Sequence, residues 1–241
     1  MTAVRLAIED MQRDFPGRYD AARHLQALDR FERGCEQLSA SLTGGTPVDP
    51  GTLDKLLSGV RAALLANPLL DFDKLLVVRR NFAGNAARRV TGGDAGFVPH
   101  NYENHTSIRK GNWDNEIIVL SGLRGDPQHE RLFRPEDQQI VRDIRLHFDA
   151  DRILFSKPDA TGRWAIYEMR SDGSGVHQLS PTNYPDVDFF DPCYLPGGKI
   201  VVCSTANYYG LPCLEGKGEV AGLYLLDPKT RDLRQLTFRP Q

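Results

Sequence analysis

At 241 residues the chain is long enough to bury a sizeable core, in one large domain or two small ones. Thirty basic against thirty-two acidic side chains leave a net charge of −2, which argues against a broad electrostatic footprint for nucleic acid or anionic lipid. The 40% hydrophobic and 26% charged content is ordinary for a soluble globular protein, and no apolar run approaches the ~20 residues of a membrane span. The opening MTAVRLAIEDMQRDF carries Glu9, Asp10 and Asp14 and lacks the apolar segment of a signal peptide. Either the protein stays in the cytoplasm, or a start lies upstream of Met1.

Residues 1–70 read as helix. Phe15-Pro16-Gly17 interrupts the pattern and separates a short first helix from a longer one. Leu25, Leu28, Phe31, Cys35 and Leu38 then fall three or four apart, an apolar stripe at the helical period. SLTGGTPVDPG is a loop, after which Asp49 is a good N-cap and Pro50 suits the first helical position. Leu53, Leu57, Val60 and Leu64 form a second stripe, ended by Asn67-Pro68. The expectation is a helical N-terminal extension over 1–70, its apolar stripes covered by the rest of the chain.

From Lys74 the period changes to two. LLVVRR, EIIVLS, RLFR, IRLHF, RILFSK, WAIYEMR, VHQLS, KIVVCS, GLYLLD and LRQLTF are short, rich in β-branched and aromatic residues, and bounded by Gly, Pro, Asp or Asn. Residues 71–241 therefore read as all-β. These strands repeat. Ile166-Tyr167 aligns with Leu223-Tyr224, and Gln178-Leu179-Ser180 with Gln235-Leu236-Thr237, at an offset of 57. Arg152-Ile153-Leu154-Phe155 aligns with Lys199-Ile200-Val201-Val202 at an offset of 47. A weaker earlier copy uses Leu75-Leu76-Val77, Ile117-Ile118-Val119-Leu120 and Arg131-Leu132-Phe133. Three copies of a roughly four-stranded unit approach the ~40–45-residue period of propeller blades. Asp172-Gly173 supplies the positive φ values that a tight strand connection needs. The expected fold class is mainly β, a partial β-propeller of about three four-stranded blades behind the helical extension.

DRILFSKPDATGRWAIYEMRSDGSGVHQLS resembles the TolB-type, WD40-like β-propeller repeat. WDNEIIVLSGL, IRLHFDADRILFS and DPCYLPGGKIVVCST resemble proteins related to the hydrazine synthase alpha subunit, and the resemblance covers about residues 72–238. It implies a bacterial, periplasmic or extracellular propeller that serves as a platform for a partner or ligand. The enzyme of that name holds haem through C-x-x-C-H, which is missing here, so its reaction is not carried over. Propellers close with about 4–8 blades. Three blades are therefore expected to be a fragment, or part of a ring completed by a protein partner or second chain.

The connection between the second and third strands is short in the middle copy, Pro158 to Arg163. It is longer in the last copy, Ala206 to Gly222, and longest in the first, Asn81 to Asn115. In a blade this connection always leaves on one face, so loops 81–115 and 206–222 should crowd a common binding face. Its candidate residues are His100, Tyr102, His105, Trp113, Tyr208 and Tyr209. Cys203 and Cys213 raise two readings: ligands of a metal or haem pocket, or a disulfide or two buried thiols, with the latter preferred. Cys193, Cys203 and Cys213 recur every ten residues, which fits neither a close-paired zinc spacing nor haem attachment. Asp186, Asp188 and Asp191 lack the pattern of a calcium loop and read as turn-formers. No G-x-S-x-G, H-E-x-x-H or P-loop occurs. The functional expectation is a non-catalytic binding and assembly module without a cofactor; the alternative is a haem- or metal-dependent redox subunit of the hydrazine synthase alpha type.

Overall fold

The structure, a computed structural model, describes residues 2–45, 47, 49–82, 105–212, 215–216 and 218–238. The chain divides into two compact units, residues 1–75 with 121–128, and residues 76–120 with 129–241.

The first unit is helical. Helix α1 (Thr2–Asp14), α2 (Ala21–Thr43) and α3 (Pro50–Leu65) follow the breaks read above. Asp49 stands at the N-cap position of α3, but its side chain accepts from the Thr52 hydroxyl and caps no backbone N–H, whereas the Asp20 carboxylate caps α2 by accepting from Arg23 N at 3.1 Å. Ile8, Met11, Tyr19, Leu28 and Ala63 form their core. The second stripe departs from expectation: Leu53, Leu57 and Leu64 are exposed. The reason is close packing by small residues. Gly34 has no room for a Cβ beside Leu56, and Gly59 sits against Ala27, so α3 turns its Ala63 side to the core. The Tyr19 hydroxyl then donates to the Ala63 carbonyl at 3.0 Å. Among the described residues no helix is long and apolar enough to cross a membrane.

The second unit is mainly β, three antiparallel sheets of consecutive strands. β1 (Lys74–Phe82), β2 (Trp113–Ser121) and β3 (Gln128–Phe133) make the first. β4 (Arg142–Leu146), β5 (Arg152–Pro158), β6 (Trp164–Arg170) and β7 (His177–Gln178) make the second. β8 (Phe189–Tyr194), β9 (Ile200–Ser204), β10 (Gly222–Leu226) and β11 (Leu233–Gln235) make the third. Strand order within each sheet is sequential, the up-and-down arrangement of propeller blades. Among the described residues the first sheet has three strands and the other two have four. In the first, the segment before β1 is a 3-10 turn, Pro68–Leu70, because Asn67 caps Leu69 N at 2.9 Å and Arg124 occupies the Leu70 carbonyl.

The repeat offsets carry through to the register. Phe155 pairs with Tyr167 and Tyr167 with Gln178; Val202 pairs with Tyr224 and Tyr224 with Gln235. Burial follows the same rule. Ile153, Phe155 and Met169 pack with Ile117 of the first blade. Their equivalents Ile200, Val202 and Leu226 pack with Leu154 and Ile166 of the second. The second blade thus presents one face to the first blade and the other to the third.

Candidate functional site

Antiparallel order sends the β1–β2, β5–β6 and β9–β10 connections out at the same end of the blades, and the described parts of all three are fastened together there. The Trp164 indole, at the head of β6, donates to the His105 carbonyl at 2.9 Å. The His105 ring stacks on Phe190 with centroids 4.7 Å apart. Lys110 Nζ donates to the Gly162 carbonyl at 2.8 Å. Arg163 reaches Glu219 in the β9–β10 connection at 3.1 Å. That connection is closed on itself, with Val220 N donating to the Tyr209 carbonyl at 2.8 Å. The apolar base under these loops is Ile108, Trp113, Ile140, Trp164 and Phe190.

Asp188 is the electrostatic centre of this end. It heads β8 and is fully buried, yet it is not a turn-former: its carboxylate accepts from Trp164 N at 2.6 Å and from Arg163 Nη1 at 2.8 Å, with Lys110 Nζ at 3.4 Å. Its backbone N–H donates to the Thr205 hydroxyl at 2.9 Å. A buried carboxylate persists only when its lone pairs are used, and here two cations and an amide use them. One side chain therefore ties the second blade, the third blade and the first loop. Its warning in the sequence is a charge inside the apolar run Val187-Asp188-Phe189-Phe190.

Asp143 and Asp191 mark a second shared feature. Both lie in the first strand of their blade at positive φ, +55° and +49°, where the ladder shifts register. Asp143 is 3.1 Å from His105 Nε2 and accepts from Asp191 N at 3.2 Å; Asp191 in turn accepts from Arg145 at 2.8 Å. Burial works against the Asp143 charge, but the hydrogen bond and charge of His105, with Arg142, hold its carboxyl below the usual carboxylate range. Arg80, on β1, donates to the Val141 carbonyl at 2.7 Å and lies 5.8 Å from the Trp113 ring. Burial and the neighbouring Arg142 charge bring its pKa down to about 10.

Of the site residues expected from sequence, His100, Tyr102 and Cys213 lie outside the described residues. His105 is at the loop end, half-buried between Phe190 and Asp143. Trp113 is buried in the base with its indole donating to the Arg109 carbonyl at 2.8 Å. Tyr208 and Tyr209 are exposed on the β9–β10 connection. Cys203 is a free thiol packed beside the base, and burial with the Asp191 and Asp143 charges pushes its pKa up to about 11. A thiol held that high is a poor nucleophile at neutral pH. The one described group with convergent metal-ligand atoms is His147, Asp149 and Asp151. It sits in the β4–β5 turn, at the other end of the blade, with the Arg152 guanidinium 2.9 Å from His147 Nε2. Arg163 and Lys110 hold Asp188, and Arg145 holds Asp191, so this pair of the aspartates considered above is already committed to cations.

No family model and no curated protein matches the chain. Among solved structures it is similar to a puromycin hydrolase, at 16% identity and a TM-score of 0.39, over 54% of this chain and 19% of that one. It is also similar to the tricorn protease, at 12% identity and a TM-score of 0.38, over 70% and 12%. TolB from Acinetobacter baumannii is similar at 17% identity and a TM-score of 0.32, over 52% and 30%. The chain thus spans less than a third of the length of each. Likenesses at this level carry no argument about function, and the blade arrangement rests on the strand order and register described above.

Proposed function

We propose that the chain is a non-catalytic binding and assembly module. Its loop end binds a protein segment, and the free face of its third blade is covered by a sheet of a second copy. The observation that supports this most is a pair of equivalent positions. In the second blade, Leu154 and Ile166 are 0% exposed because the third blade covers them. Their repeat equivalents in the third blade are Val201 and Leu223, and Leu223 is 41% exposed. Leu225 and Cys193 share that face through the register Cys193–Val201–Leu225. The third blade thus has the apolar composition of a face that expects a neighbour, and two copies of three sheets fall within the ~4–8 blades of a closed propeller.

At the loop end, Tyr208 and Tyr209 are large, exposed and carried on a base that Asp188 and His105 fix in place, the pattern of an interface anchor. Selection of displayed peptides on the full chain, with Tyr208→Ala/Tyr209→Ala as the counter-selection, tests this. Enriched peptides should lose at least about tenfold in affinity on the double variant. Peptides that bind both proteins equally would move the binding face elsewhere. The rival reading, a haem- or metal-dependent redox subunit of the hydrazine synthase alpha type, predicts a Soret band or stoichiometric metal in the purified protein.

A further inference from the structure

The helical unit holds a cavity that the blade reading does not use. α2, α3 and the turn after β2 enclose about 580 Å³, a volume within the range of small-molecule pockets. Arg23, Arg61 and Arg124 line it with His24 and Ser58, and no carboxylate is among its lining residues. Asp20, the N-cap of α2, is engaged by accepting from Arg23 N at 3.1 Å. Arg124 is fixed at the cavity edge, its guanidinium donating to the Leu65 carbonyl at 3.4 Å and to the Leu70 carbonyl.

His24 supplies a second, independent sign. It is 8% exposed and stacks on Tyr19 with centroids 4.9 Å apart, yet its ring nitrogens make no hydrogen bond to a described residue. His24 lines the cavity, so its ring is within reach of a molecule bound there. Burial and the Arg23 charge also hold its pKa below the usual histidine range, leaving a neutral ring with one N–H to donate. Ala62, Leu65 and Ala66 give the cavity an apolar wall beside these donors.

We propose that this cavity is a binding site for a small organic oxyanion, a phosphate monoester or a carboxylate. The oxyanion takes the Arg23 and Arg61 guanidinium groups and the His24 N–H, and its apolar body lies on Ala62 and Leu65. Guanidinium is the side chain best suited to both oxyanions, because its planar fork matches their geometry. Calorimetry on the full chain with phenyl phosphate and with benzoate provides the test, alongside NMR of the His24 ring. One of the two probes should saturate a single site and move the His24 signals. Arg61→Gln should weaken it at least about tenfold, as loss of a charge-assisted pair does. Arg23 and Arg61 are exposed, so neither substitution threatens the fold. The tighter probe identifies the oxyanion. Absence of saturable binding by either probe up to about 10 mM, weaker than any specific site, would overturn the proposal. So would binding that survives both Arg61→Gln and Arg23→Gln with His24 unmoved.

Discussion

Asp188 shows how a single buried charge can fasten several elements whose contacts are otherwise made by loops. Its carboxylate takes Lys110 from the β1–β2 connection and Arg163 and the Trp164 N–H from the β5–β6 connection, so its removal leaves two cations and one backbone N–H without their common acceptor. Asp188→Ala should lower stability by about 3 kcal/mol in urea unfolding. The low end of the usual range applies because the Arg163 side chain keeps 31% of its surface in water. Asp143 acts through pH. Its folded-state pKa is depressed, so its stabilisation is present above the unfolded value near 4 and is lost as pH falls through the folded value. Unfolding free energies measured between about pH 2 and 6 should show this acid limb, and Asp143→Asn should flatten it. Neither aspartate was legible as a site residue. The cations that hold Asp188 are distant in sequence, and Asp143 looks like any strand-opening charge until its repeat in Asp191 is noticed.

At the scale of elements, the repeat was the most readable feature, because burial imposes the same alternation on each blade. The offsets of 47 and 57 identified not only the strands but their register, from Phe155–Tyr167 to Val202–Tyr224. The Asp-Gly turn was readable for a similar reason, and the structure adds a constraint. Gly173 has φ +82°, and a Cβ there would run into the Leu132 carbonyl oxygen of the first blade. Gly173→Ala should therefore cost about 2 kcal/mol or more through strain and displacement, read as a lowered urea midpoint. What the pattern did not reveal was which side of α3 is buried. Leucines at the helical period outrank glycines and alanines on any hydropathy scale, but Gly34 and Gly59 decide how closely the helices approach. That the segment before β1 is a 3-10 turn was likewise hidden, since it takes Asn67 capping Leu69 N ahead of Pro68 to set it.

For the molecule as a whole, the account turns on sheets that bury both faces when they have neighbours on both sides. The second blade has two such neighbours and the third has one among the described residues. An apolar sheet face left in water is an invitation to associate, and the proposed answer is a second copy. The native mass of the purified chain, measured by light scattering across a dilution series, addresses this most directly. The account predicts a particle of twice the 27.0 kDa chain that dissociates in Leu223→Glu, where a charge enters the uncovered face. A monodisperse particle of one chain, unchanged in behaviour by that substitution, would contradict it.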